Sequence, residues 1–298
     1  MEETQIESPS FKLNFEMQIH CVEWSPYEWS EDLICIGLEN KIIIASIKFQ
    51  EEDNQLEDIS YTQLKVFNPE GRVHAIAWSP ETSNLIDESA VEILEGHKNY
   101  VNSIAYDGDG ELLASVSDDL TCKLWAIKEN RSCILSFVLT APGVAVKWHN
   151  EEPGKLLVAE KLGIIRMYNV RSQQAIMSMD ASKVPLMTAD WSPNSLKVAC
   201  LAAGELCLFD VSRPSRAQET KTLHLEGGTV MKFSPANENL IATIGRPDNN
   251  VKVVDIKAKE VQLCSRVRLY GGLTWHQRLQ VICAGSDRKL LFWKVPNK

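Results

Sequence analysis

Short runs of alternating apolar and polar residues fill the chain and recur at a fixed distance. Each unit opens with a run that ends on an aromatic and a polar turn: VEWSP at Trp24, IAWSP at Trp78, IAYDG at Tyr106, VKWHN at Trp148, ADWSP at Trp191, MKFSP at Phe233 and LTWHQ at Trp275. From Tyr106 onward the aromatics are 42, 43, 42 and 42 residues apart. A second apolar run follows (LICIG, LLASV, KLLVA, KVACL, LIATI, QVICAG), then a tight polar turn, then a third alternating run such as CKLWAI, IIRMYNV or LCLFDV. Alternation over five or six positions is the pattern of a strand buried between layers. No run keeps a 3.6-residue stripe, so helices are expected to be few. A period of about 40–45 residues with four short strands per unit predicts the blades of a propeller.

Seven aromatic turns predict seven blades, with one irregularity. Trp78 lies 54 residues after Trp24, and Tyr106 only 28 after Trp78. The first excess is accounted for by the acidic stretch at residues 50–60, read as a solvated loop. The second is a true shortfall: after AWSPETSNLID the chain goes straight to ESAVEILEGH, without room for the second and third strands. Either the second blade is incomplete, or six full blades carry an extra strand or two. Strain or poor order is expected over residues 86–95. The last unit ends on its third strand, KLLFWKV, which leaves an unpaired edge. Residues 10–19, SFKLNFEMQI, alternate and have no blade of their own. They are expected to supply the fourth strand of the last blade and so close the ring. The predicted organisation is a flexible segment at residues 1–9 and one propeller over 10–298.

The third unit collects every polar part of the repeat: Gly96-His97 before the first strand, Ser115 in the second, Asp119 in the turn and Trp125 in the third. A buried carboxylate is tolerable only when paired. Asp119 is therefore expected to accept from His97, His97 to reach Ser115 or Thr121, and Trp125 to donate its indole N–H. GHKNYVNSIAYDGDGELLASVSDDLTCKLW resembles the WD-repeat family, with Ala126 where the family usually has aspartate. The other units depart further: LFDV and VVDI keep Asp210 and Asp255 without the Gly-His, and SDRKLLFW keeps Asp287 and Trp293.

A narrower resemblance rests on residues outside the repeat consensus. VEILEGHKNYVNSIAYD, ASVSDDLTCKLW, LLVAEKLGIIRMYNVRSQQAIMSMDASKVPLMTADW and GGLTWHQRLQVICAGSDRKLLFW together are similar to the nucleoporin-thirty-seven family, small WD-repeat subunits of the Y-shaped outer-ring complex of the nuclear pore. The sequence departs from that family between Ile86 and Val91, where a fuller second blade is expected. The resemblance implies a non-catalytic scaffold in the nucleus, at the nuclear envelope, that supports pore assembly and protein and mRNA transport. It implies docking on a large nucleoporin that joins a propeller to a helical solenoid, and a place at kinetochores in mitosis. The loops at residues 51–60, 185–187 and 213–220 are candidate contacts, and the partner-binding residues themselves stay unknown.

Charge and composition narrow the alternatives. The 298 residues carry a formal charge of -9 and no basic cluster, which argues against direct nucleic-acid binding. The apolar runs fall short of the roughly 18 residues of a membrane-spanning helix, so no membrane insertion is expected. The acidic first residues do not read as a secretory or mitochondrial leader. Self-association into a homo-oligomer is not expected. The eight cysteines form no C-x-x-C pair and mostly sit in apolar runs, as small buried hydrophobes of a reducing compartment rather than zinc ligands.

No metal, cofactor or catalytic residue is assigned. His97, Ser115 and Asp119 form a nominal catalytic set, but the strand–turn–strand context fits a structural network. His149 and His276 each follow a tryptophan at the same repeat position, which points to packing or a loop hydrogen bond. RLYGGL lacks the context of a phosphate loop. Tyr168-Asn169-Val170-Arg171 only partly matches the Trp-Asp-x-Arg of WD-repeat substrate receptors of cullin–RING ubiquitin ligases. Such a receptor, or a histone-tail reader with an acidic aromatic channel, is the alternative function. A hydrolase is the third.

Overall fold

The computed structural model describes residues 6–52, 58–80, 93–129, 131–247 and 249–296. Among these there is no α-helix, only a 3-10 turn at Glu28–Ser30. The described strands form six four-stranded antiparallel sheets. In chain order, β1 (Phe11–Asn14) stands apart and β2 (Ile19–Trp24), β3 (Leu33–Leu38), β4 (Ile42–Lys48) and β5 (Ser60–Phe67) form a meander. The next three sheets are β6 (Val101–Tyr106), β7 (Leu112–Ser117), β8 (Thr121–Ala126) and β9 (Ser132–Val138); β10 (Gly143–Trp148), β11 (Lys155–Glu160), β12 (Ile164–Asn169) and β13 (Gln174–Asp180); β14 (Leu186–Trp191), β15 (Lys197–Ala202), β16 (Glu205–Asp210) and β17 (Glu219–Thr222). Then come β18 (Gly227–Phe233), β19 (Leu240–Arg246), β20 (Asn250–Asp255) and β21 (Glu260–Arg266). The last sheet is β22 (Tyr270–Trp275), β23 (Val281–Ser286), β24 (Lys289–Lys294) and, on its outer edge, β1. Meanders of this kind, at the repeat spacing, make the fold an all-β WD-repeat propeller. The second repeat, around Trp78, contributes no strand among the described residues. Residues 81–92, including the shortfall at 86–91, lie outside them. Of the residues expected to be strained, only 93–95 are described, and Ile93 there is exposed.

The chain divides into two compact units, one of residues 1–76, 232–244 and 248–298, the other of residues 77–231 and 245–247. In the first unit the edge of β24 is covered by β1 in register, with Phe11 opposite Phe292 and Leu13 opposite Leu290. The expected strand is shorter than residues 10–19, but the chain stays tied beyond it. Phe15 N–H donates to Arg288 O at 2.8 Å and Ile19 N–H to Asp287 O at 2.7 Å. Phe11, Leu13, Phe15 and Met17 point inward onto a core of Ile34, Ile36, Ile43, Ala45, Ile47, Phe49, Cys283, Leu290 and Phe292. Lys12, Asn14 and Glu16 point outward. Upstream, Glu7 N–H donates to Cys264 O at 2.8 Å and Ser265 Oγ donates to Glu7 O at 2.6 Å.

The acidic stretch at residues 50–60 is not simply solvated. Glu51 pairs with Lys294 at 2.6 Å, and Glu52 Oε2 accepts from Phe49 N–H at 3.0 Å. Glu52 Oε1 lies 3.3 Å from Nε2 of the buried His276. Residues 53–57 lie outside the described set, and Ser60 already opens β5.

In the second unit one face of the β6–β9 sheet, with Val116, Cys122, Leu124 and Phe137, packs on Val146, Trp148, Leu156 and Tyr168 of the next sheet. That sheet in turn offers Leu157, Ile165, Met167 and Met179 to Trp191, Val198, Cys200 and Phe209. The repeated aromatic has a bonding role besides its bulk. Trp148 Nε1 donates to Ala105 O, one sheet back, at 3.0 Å. In the first unit Trp275 Nε1 donates to Lys232 O at 3.1 Å in the same way. Each bond joins residues one repeat apart, so the spacing of the aromatics reflects the offset between neighbouring first strands.

Candidate functional site

The hairpin between β7 and β8 carries the densest polar cluster of the second unit. Its turn needs a left-handed residue, supplied by Leu120 at φ 64°. That geometry turns the Asp119 carboxylate back over the hairpin. Asp119 Oδ1 accepts from Thr121 N–H at 3.0 Å and from Thr121 Oγ1 at 2.6 Å. Its Oδ2 accepts from Lys98 N–H at 2.9 Å and lies 2.8 Å from His97 Nδ1. His97 Nε2 lies 2.7 Å from Ser115 Oγ, and Trp125 Nε1 donates to the same oxygen at 2.8 Å. The donors order themselves. Asp119 only accepts, so Nδ1 carries the hydrogen towards it. Ser115 receives the indole N–H and turns its own proton to Nε2.

Serine, histidine and aspartate here stand at the distances of a nucleophile triad, yet the site offers no approach to a substrate. Ser115 is buried, and its oxygen already holds the Trp125 N–H. Every donor around Asp119 is used within the hairpin and the segment leading to β6. Burial works to raise the Asp119 carboxyl. Bonds from Thr121, the Lys98 N–H and His97 outweigh it and hold the group well below the usual carboxylate range.

We propose that these four residues, His97, Ser115, Asp119 and Trp125, fix the hairpin rather than react. Asp119→Ala leaves His97, Lys98 and Thr121 donors without an acceptor and is expected to destabilise the fold by about 2–4 kcal/mol in urea unfolding. The depressed carboxyl gives a pH signature. Its contribution is fully present above the unfolded value, about 4, and fades as pH falls below that towards the lower folded value. The stability gap between wild type and Asp119→Asn is therefore expected to narrow steadily from pH 5 downward. A gap that stays constant contradicts the assignment.

His149 and His276 occupy one repeated arrangement. His149 Nδ1 accepts from the N–H groups of Glu151 and Glu152 at 3.2 and 3.0 Å. His276 Nδ1 accepts from those of Arg278 and Leu279 at 3.2 and 3.1 Å. Each ring also meets a tryptophan edge, Trp191 and Trp24 respectively, at 4.9 Å between centroids. Both histidines therefore shape a loop. No group of three His, Cys, Asp or Glu side chains suited to a metal occurs among the described residues. Seven cysteines are buried and free, and Cys133 is exposed. Burial pushes the Cys21 thiol up to about 12, far from a reactive thiolate.

Glu160 is a site that the repeat pattern does not reveal. EKLG, between KLLVA and IIRMYNV, reads as a turn, but Glu160 is the fully buried last residue of β11. Its Oε2 accepts from Thr140 N–H at 2.7 Å, Thr140 Oγ1 at 2.6 Å and Ala141 N–H at 2.9 Å. Its Oε1 pairs with the Arg166 guanidinium of β12. The available signal was that Glu160 and Arg166 both fall in the segment farthest from repeat consensus.

Among the candidate contact loops, Pro185 is exposed, but Leu186 belongs to β14 and is fully buried. Residues 213–220 are largely exposed. At the partial ligase-receptor match Tyr168 is buried against Phe137, Asn169 Oδ1 accepts from Ser172 N–H at 3.0 Å, and Arg171 is exposed.

The profile of the WD domain, G-beta repeat, matches residues 88–126. Nucleoporin Nup37 of Mus musculus is 34% identical over 324 aligned positions, covering 98% of this chain and 99% of the mouse protein. Nucleoporin Nup37 of Homo sapiens gives the same figures. Nucleoporin Nup37 of Drosophila melanogaster is 34% identical over 317 positions, covering 97% of this chain and 98% of its own length.

Proposed function

We propose that this chain, which belongs to the Nup37 family of nucleoporins and is a scaffold subunit of the nuclear pore, serves without catalysis in the Y-shaped outer-ring complex. In that place it supports pore assembly and, through it, the passage of protein and mRNA. The partner we propose is a large nucleoporin joining a propeller to a helical solenoid, with a further station at kinetochores in mitosis. The observation that carries the reading is end-to-end likeness: the alignments leave almost nothing of either protein unmatched. The side-chain chemistry supports it. The Ser115, His97 and Asp119 set spends its hydrogen bonds on the fold. What remains for function is surface, which suits a protein that works by contact.

Affinity isolation of the tagged chain from nuclear extract tests this. Nucleoporins, among them a propeller–solenoid subunit, are expected as the main recovered proteins. Recovery of cullin adaptors in their place contradicts the reading.

A further inference from the structure

In the second unit, Cys200 and Cys207 face each other across the β15–β16 hairpin. The hairpin turns on Ala203 and Gly204, both left-handed at φ 48° and 81°. A two-residue turn of this kind fixes the register of the strands it joins. Ala202 lies opposite Glu205, Leu201 opposite Leu206, and Cys200 opposite Cys207. Counted from the turn, the cysteines are a hydrogen-bonded pair, whose Cα atoms stand about 5.5 Å apart. A disulfide spans Cα separations of about 4.4–6.8 Å. Both side chains are fully buried on the same face of the sheet, in the core with Leu157, Ile165, Val198 and Phe209. No other cysteine stands directly opposite a cysteine among the described ladders: Cys35 faces Ile44, Cys122 faces Val116 and Cys283 faces Phe292.

The two thiols are not equivalent. A hydrogen bond between them raises the Cys200 thiol and lowers that of Cys207, so Cys207 is the readier thiolate. Cys207 also lies one strand in from the edge of its sheet. It stands opposite Thr220 of β17, which is exposed. That strand, Glu219–Thr222, has four residues and no buried side chain. A short edge strand of this kind is the part of a sheet that opens most readily, and its opening bares Cys207 to a small oxidant. The hairpin turn is tied to a surface segment as well: Ala203 N–H donates to Pro185 O at 2.9 Å, and Glu205 pairs with Lys183 at 3.1 Å.

We propose that Cys200 and Cys207 are a reversible redox latch, oxidised by hydrogen peroxide to an intrachain disulfide that pins β15 to β16. The Cys207 thiolate attacks one peroxide oxygen and the O–O bond breaks. The departing hydroxide takes up the proton that Cys207 released and leaves as water, and Cys207 becomes a sulfenic acid. The Cys200 sulfur then attacks the Cys207 sulfur, the S–O bond breaks, and a second water leaves with the Cys200 proton. Two thiols and one peroxide thus give one disulfide and two waters. A thiol reductant restores the pair by exchange. In a reducing compartment the disulfides that do form are mostly transient and redox-sensing, which suits a pair held as thiols until peroxide rises. Through Ala203 and Glu205 the latch stiffens the connection around Lys183 and Pro185, a stretch of surface.

The test treats the folded full chain with hydrogen peroxide, then unfolds it in an alkylating agent, digests it with trypsin and weighs the peptides. Cleavage after Lys197 and Arg216 leaves both cysteines, and no other, in one peptide. That peptide is expected to be lighter by two hydrogens and closed to alkylation until dithiothreitol is added, while Cys35 and Cys283 stay open to it. In Cys200→Ser the sulfenic acid at Cys207 has no thiol to meet and is expected to be captured by dimedone. In Cys207→Ser, Cys200 is expected to stay a thiol. Hydrogen exchange of the oxidised chain is expected to slow by about tenfold or more across residues 199–208. If a variant does not fold, the mass and exchange of the wild-type chain decide. Two free thiols in that peptide, at a peroxide dose that oxidises the exposed Cys133, overturn the proposal. So does a disulfide that forms only in urea, because the native core then never opens to the oxidant. A Cys207 joined to Cys133 of a second chain in place of Cys200 overturns it too.

Discussion

Leu13→Asp is expected to lower the unfolding free energy by about 3–4 kcal/mol, and the outward Lys12→Asp by less than about 0.5 kcal/mol. The difference follows from the alternation of β1. Leu13 faces the core shared with Ile34, Ile36 and Phe292, and Lys12 faces solvent. An aspartate at position 13 loses the apolar contact and holds a carboxylate against hydrocarbon without a partner. Deleting residues 1–14 goes further. It removes the four-residue ladder to β24 and uncovers Phe292. At about 1 kcal/mol per ladder bond plus the two inward side chains, the loss is about 5 kcal/mol or more, within the range of a whole domain's net stability. The truncated chain also bares the β24 edge and is expected to aggregate. A synthetic peptide of residues 6–18 is expected to raise the melting midpoint again, by an amount that grows with the logarithm of its concentration. Urea and thermal unfolding of the point variants check this, and equal effects at positions 12 and 13 count against it.

The second large effect is expected at Glu160. Glu160→Ala removes the acceptor of two N–H groups, at Thr140 and Ala141, and of the Thr140 hydroxyl. It also strands Arg166. Because Arg166 keeps some access to water, most of the cost falls on the loop that enters β10. We expect a destabilisation of about 3–5 kcal/mol, the usual result of breaking a buried pair from one side. Glu160→Gln keeps an acceptor oxygen and is expected to cost less. Replacing both partners, Glu160→Leu with Arg166→Leu, is expected to recover part of the loss, because no buried charge then lacks its counterpart. Hydrogen exchange localises the effect: the amides of Thr140 and Ala141 are expected to lose protection before those of β7 and β8. A silent Glu160→Ala contradicts this description of the loop.

The contrast between these two sites shows what the sequence makes legible. The β1 pairing was readable because its alternation is strict and no repeat unit claims it. The His97 cluster was readable because each residue sits at a repeat position whose turn geometry is general. Glu160 was hidden because its role depends on register. A glutamate before a lysine reads as a turn until the pairing of Gly143 with Glu160 turns its side chain inward. The loop at residues 50–60 misled for a similar reason. Its composition is that of a solvated segment, yet Glu51 and Glu52 meet Lys294 and His276, more than two hundred residues away along the chain. The partial exposure of Ile42 and Ile44 is likewise invisible in the pattern, since KIIIAS reads as an ordinary buried strand.

As a nucleoporin scaffold, this chain is proposed to serve the nuclear pore through its contact surface. The isolation from nuclear extract tests this most directly when every recovered protein is quantified by mass spectrometry. The predicted result is a fixed, near-equal ratio between the tagged chain and a propeller–solenoid nucleoporin, retained after size-exclusion chromatography. A chain that elutes free of nucleoporins, or in fixed ratio with ubiquitin-ligase adaptors, would contradict the account.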